Sequence, residues 1–164
     1  MVTDGEIAEL LARLAAVPAR FAAACGRFEE ADAVVHPAAG EWSPAEVLAH
    51  LRASHDITEP RILAILARDN PPLPAFDERR WQEGARYVAL PMTESLETLR
   101  LRRHELVQAL RVLPTAAWMR TGRHEERGPL TVLQIARDIA AHDEEHCIQV
   151  ERMTMDGGAQ AGSV

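Results

Sequence analysis

Four stretches of this chain repeat apolar residues at alternating steps of three and four, the spacing that puts them on one face of a helix. The first runs from Asp4 to Cys25 on Ile7, Leu10, Leu11, Leu14 and Phe21, and Pro18 is expected to kink or divide it. The second opens at Ser43-Pro44-Ala45-Glu46, where Ser43 can cap, Pro44 suits the first turn and Glu46 completes a capping box. It should continue to about Arg68, with a kink at Pro60. The third spans about Thr93 to Leu113 on Leu96, Leu99, Leu106 and Leu110, with an arginine, Arg103, on the same stripe. The fourth starts at Thr131, with Gln134 in the capping-box position, and extends to about Met155.

The connections are uneven. Gly26 to Glu41 reads as a loop, Pro114 to Trp118 as a short turn or helical cap, and Thr121 to Pro129 as a polar loop. Asn70-Pro71-Pro72-Leu73-Pro74 and the following Phe76 to Trp81 are too proline-rich to start as a helix and too long for a tight turn. They predict a long crossover between helices 2 and 3, which lets consecutive long helices lie parallel. The expected fold class is all-α: a single four-helix-bundle domain over residues 1–156, with 157–164 as a flexible C-terminal tail.

Composition fits this picture. At 164 residues the chain suits one core, and with 47% hydrophobic, 26% charged and only 4% aromatic residues it favours helices over sheets. A net charge of −7 argues against a nucleic-acid partner, which needs a basic face. All 18 basic residues are arginine, so lysine Schiff-base chemistry is excluded. Two cysteines give no disulfide framework. The sequence shows neither signal-peptide features nor an apolar run of membrane-spanning length, so the expectation is a cytoplasmic protein without a membrane partner.

The chemistry lies on the helices. Ile135, Ile139, His142, His146, Gln149 and Met153 predict one inward stripe of the fourth helix interrupted by two histidines. Four residues advance about 6 Å and return within about 40° of the starting direction, so both imidazoles can reach one ion. His50, three residues after Val47 and seven before Ile57, supplies a third from an apolar stripe of the second helix. Neutral imidazole suits zinc, nickel or copper, and three such ligands leave an open position for water or a substrate atom.

Trp42-Ser43-Pro44-Ala45-Glu46-Val47-Leu48-Ala49-His50-Leu51 and His142-Asp143-Glu144-Glu145-His146-Cys147-Ile148-Gln149 resemble the paired motifs of the DinB-like superfamily. The likeness is closer to its YfiT/bacillithiol-transferase branch, to whose crossover Asp69-Asn70-Pro71, Phe76-Asp77-Glu78 and Trp81 are similar. The resemblance implies zinc or nickel on His50, His142 and His146, a homodimer, and a place among thiol S-transferases and metal-dependent hydrolases. Gln149 departs from the branch, which carries a further histidine there, and so does Pro60. The functional expectation is a metal-dependent enzyme that transfers a low-molecular-weight thiol to an electrophilic small molecule, or hydrolyses one. The alternative is a non-catalytic, stress-related metal-binding bundle.

Arg103 has two readings, an internal ion pair or a substrate-carboxylate anchor near the metal, and is a candidate catalytic residue on the second. Asp77 is the other candidate, as a base or a partner of a ligand histidine; capping or pairing with Arg79 or Arg80 competes with that. Asp138 is expected either behind His142 or in solvent. His55 lies about 140° around the helix from His50 and is left out of the ligand set. Cys147 is expected as a small buried hydrophobe, Asp143-Glu144-Glu145 as a solvated acidic run, and His36, His104 and His124 at the surface. Asp143 also stands where H-E-x-x-H protease chemistry requires glutamate.

Overall fold

A computed structural model describes the backbone of residues 2–160 and the side chains through Met153. The four expected long helices are present: α1 Asp4–Cys25, α2 Pro44–Ala67, α4 Met92–Arg111 and α5 Val132–Gln160, with a short α3, Glu78–Ala85, in the crossover. Local chemistry sets their starts. Thr3 with Glu6, Ser43 with Glu46, and Thr131 with Gln134 each form a reciprocal capping pair that satisfies otherwise orphaned amides. Pro18 and Pro60 lie inside α1 and α2, and neither divides its helix. α5 is drawn through Gln160, beyond the expected end at Met155, and the rest of the anticipated tail, 161–164, falls outside the described residues.

α1 packs mainly on α4 and α5, and α2 on the same two helices, so α1 and α2 occupy opposite corners of the bundle. Among the described residues, no helix is long and apolar enough to cross a membrane. The core consists of two apolar clusters. One gathers Leu14, Ile62, Ile65, Leu106, Leu110, Trp118 and Ile139, and the other Phe21, Val47, Leu51, Leu99, Cys147 and Val150. Each helix changes cluster near its midpoint, and on three of them the changeover residue is polar and buried: His55, Arg103 and Asp143.

The all-α expectation needs one amendment. Thr121–His124 (β2) and Gly128–Thr131 (β3) form an antiparallel hairpin where a polar loop was expected, and Pro72–Leu73 (β1), from the crossover, pairs with β2 in parallel. Gly128, at φ 72°, supplies the left-handed backbone leading into β3. Gly122 admits close packing: a Cβ there would lie 2.8 Å from Leu73 Cδ1 and 2.9 Å from Ile65 Cγ1. Strands of two and four residues are too short to show a two-residue alternation above the noise of loop composition.

The crossover is laid along α2. Arg61 donates to the Pro74 carbonyl at 2.6 Å, Tyr87 O–H donates to Asp56 at 2.5 Å, and Arg52 sits 4.3 Å above the Tyr87 ring. α3 begins where Asp77 accepts a hydrogen bond from the Arg80 amide, a start hidden by the prolines upstream.

Candidate metal centre

The structure brings His50, His142 and His146 together. One ring nitrogen from each lies within 4.8 Å of the others, and His50 Nε2 faces His142 Nε2 at 2.9 Å. Their elements explain the convergence: His50 lies two turns into α2, past the Ser43 cap, and His142 and His146 lie one turn apart on the facing side of α5. Burial lowers the pKa of both His50 and His142 to about 4, and charge repulsion from neighbouring histidines adds to the effect. The rings are therefore neutral at physiological pH, the state in which imidazole ligates a metal.

Two neighbours orient the rings. Gln149 Oε1 lies 2.8 Å from His146 Nδ1, so this nitrogen donates to the amide and Nε2 keeps its lone pair. The residue that departs from the branch pattern thus supports a ligand. Trp42, partly exposed, stacks on His146 with ring centres 5.8 Å apart and planes 9° from parallel, and its ring is tilted against His50 at 4.9 Å. Beside His146 a trough of about 930 Å³ runs past Trp42, Gln149 and Met153. The donor set fits a divalent ion: three imidazoles, one with its tautomer fixed by a side-chain amide.

The two candidate catalytic residues have partners of their own. Arg103 is 1% exposed and reaches Asp143 Oδ2 at 2.5 Å and His55 Nε2 at 2.6 Å, with His55 3.4 Å from Asp143 Oδ1. This is the internal ion pair, not a substrate anchor at the triad. Asp77 is exposed, capping α3 and lying 3.5 Å from Arg80. Asp143 corrects the solvated-run expectation, being fully buried. Burial alone would raise its carboxyl, but the His55 hydrogen bond and the Arg103 charge hold it below the usual value.

Of the neighbouring acids, Glu144 pairs with Arg20 at 2.7 Å and Glu145 is exposed. Asp138 pairs with Arg127 at 2.8 Å instead of backing His142. Cys147 is fully buried, with its thiol pushed up to about 11 chiefly by burial, so it is inert. His36 and His104 are exposed, but His124 is buried, its Nδ1 accepting from the Glu126 and Arg127 amides.

Sequence reasoning missed Glu78. As the first residue of α3 it is half-buried, with Oε2 3.7 Å from His50 Nε2. Burial raises its carboxyl above the usual range, against the opposing pull of Arg61 and a Ser54 hydrogen bond. Its place in the Phe76-Asp77-Glu78 stretch, directly after a residue able to cap, is the signal that could have marked it.

Comparison with known proteins agrees with the fold. A family model described as the DinB superfamily matches residues 3–150. YfiT from Bacillus subtilis, described as "a probable metal-dependent hydrolase with an unusual four-helix bundle topology", superposes with a TM-score of 0.87 at 19% identity, over 96% of this chain and 91% of that one. A protein from Oceanobacillus iheyensis, named "Putative metal-dependent hydrolase", is 27% identical over 111 residues, which cover 68% of this chain and 64% of that relative's length.

Proposed function

Because the chain belongs to the DinB superfamily, we propose that His50, His142 and His146 hold one divalent ion, zinc or nickel, and that the protein uses it in reactions of a small molecule. The observation that carries this reading is the convergence of three imidazole nitrogens within 4.8 Å on a site flanked by a trough. Three neutral ligands leave the ion its full charge and at least one open position, the arrangement of catalytic and not structural zinc. Such an ion supplies Lewis acidity, bringing the pKa of a water or thiol toward neutrality.

The chain's own residues do the remaining work. Gln149 fixes the His146 tautomer, Trp42 shields two of the rings from solvent, and the trough offers room for an electrophilic substrate beside His146. The reaction is transfer of a low-molecular-weight thiol, as the motif resemblance implies. Hydrolysis is the second reading, favoured by the names of both relatives. We place the reaction in the cytoplasm, carried out by a homodimer.

Elemental analysis of the purified chain beside His50→Ala and His146→Ala tests the metal: near-stoichiometric ion is expected in the parent alone, and equal content in all three overturns the site. Turnover of a thiol with an electrophile, against water with an ester, separates the two reactions. Activity in neither, despite bound metal, would leave a non-catalytic metal protein.

A further inference from the structure

Glu78 belongs to the Phe76-Asp77-Glu78 stretch of the crossover, and the triad gives it no role. Among the described residues it is the carboxylate that comes within ion-pair distance of a triad nitrogen, 3.7 Å from His50 Nε2. Ligand atoms that share a tetrahedral ion at about 2.1 Å stand about 3.4 Å apart, so Oε2 is within a few tenths of an ångström of a ligand's separation from His50. The donor atoms mutually within 4.8 Å are those of the three histidines, so a turn of the Glu78 side chain is needed to bring Oε2 onto the ion. The other acids close to the triad in sequence are engaged or exposed: Asp143 by Arg103 and His55, Glu144 by Arg20, and Glu145 in solvent.

Resting on the proposed metal site, we infer that Glu78 is a fourth protein ligand, closing the resting centre as a three-histidine, one-carboxylate set and yielding its position to the donor atom of a substrate. Its placement serves that role. The Asp77 cap fixes the first turn of α3, and contacts of the crossover with α2 hold Glu78 over the same helix that carries His50. The side chain is only 34% exposed, and Ser54 and Arg61 offer its carboxylate one hydrogen bond and a nearby charge, so it retains acceptor capacity for an ion. A negative oxygen would also halve the double charge that three neutral imidazoles leave in place.

Cobalt(II) is the probe, because its visible absorption reports coordination number directly. Titrations compare the parent chain with Glu78→Ala, Glu78→Gln and His50→Ala. The expected result is a change in band position and intensity in both Glu78 variants, with the apparent Kd raised about tenfold. Spectra superposable on the parent's, with Kd values within about twofold, would overturn the inference while leaving the triad standing. His50→Ala is expected to show no specific band; a parent chain that also shows none would overturn the metal site itself. Circular dichroism melts check folding, and the near-isosteric Glu78→Gln keeps the comparison valid if Glu78→Ala unfolds. A second titration adds 2-mercaptoethanol to the cobalt-loaded chains. A sulfur-to-cobalt charge-transfer band forming at lower thiol concentration in Glu78→Ala than in the parent is expected if the carboxylate must first leave; equal concentrations would contradict displacement.

Discussion

His142 and Asp143 are neighbours in sequence and belong to opposite kinds of polar cluster. His142 joins two other imidazoles whose nitrogens face one another, one of them, His146, lining an open trough. Asp143 joins Arg103 and His55 in a closed, charged cluster between the two halves of the core. The closed cluster pairs its opposite charges internally, through Arg103 Nη2 and Asp143, although Arg103 Nε and Nη1 find no partner. The open one concentrates lone pairs that the chain itself does not use. Convergent, unspent donor capacity distinguishes a site from a structural ion pair, even one helical position away.

Removing one partner should separate the two most sharply. Asp143→Ala strands the buried Arg103 guanidinium, and a loss of about 3–5 kcal/mol is expected in urea unfolding of the metal-free chain. His50→Ala should do the reverse, weakening zinc binding more than about 100-fold in a competition titration while leaving metal-free stability at pH 7 nearly unchanged. If Asp143→Ala proved mild, the closed cluster would not be the mid-core clamp described above.

The pH response of the metal-free chain sharpens the contrast. His50 and His142 titrate near 4 in the folded state, against 6.5 ordinarily. Groups depressed on folding contribute stability above the unfolded value, and that contribution is lost as pH falls through the folded one. Stability should therefore fall between about pH 6.5 and 4, each histidine adding up to about 1.4 kcal/mol per pH unit. Urea midpoints at pH 7 and pH 5 measure it, and His50→Ala should show the shallower slope. The smallest effect belongs to Gln149→Leu, which frees the His146 ring and should weaken zinc about tenfold; unchanged affinity would remove Gln149 from the site.

The four long helices, their caps and the three histidines were legible because each rests on a local rule: a periodicity, a capping pair, or a spacing of four. Arg103 was legible as an oddity on an apolar stripe, though not its partner. Asp143 was misread because the stripe drawn on α5 through Ile135, Ile139, His142 and His146 was taken as its whole inner face, whereas the core takes in Ala136, Ala140, Asp143, Cys147 and Val150 as well as Ile135 and Ile139. The histidines flank that core face, half-buried. The sheet and α3 were missed for a different reason: strands this short pair through contacts distant in sequence, and α3 has no apolar face to announce it, all of its residues being at least partly exposed.

That small sheet bears on the order in which the molecule assembles. Backbone bonds from the Arg123 amide to the Pro71 carbonyl and from the Glu125 amide to that of Leu73 join the start of the crossover to the hairpin, closing α3 and α4 into one loop. The entropy of closing such a loop is spent before its contacts give anything back. The two histidines of α5 come within reach of each other as soon as one helical turn forms, whereas Glu78 waits on the clasp. Native-state hydrogen exchange at Arg123 and Glu125 would therefore record when the crossover is seated, a later event than the winding of α5.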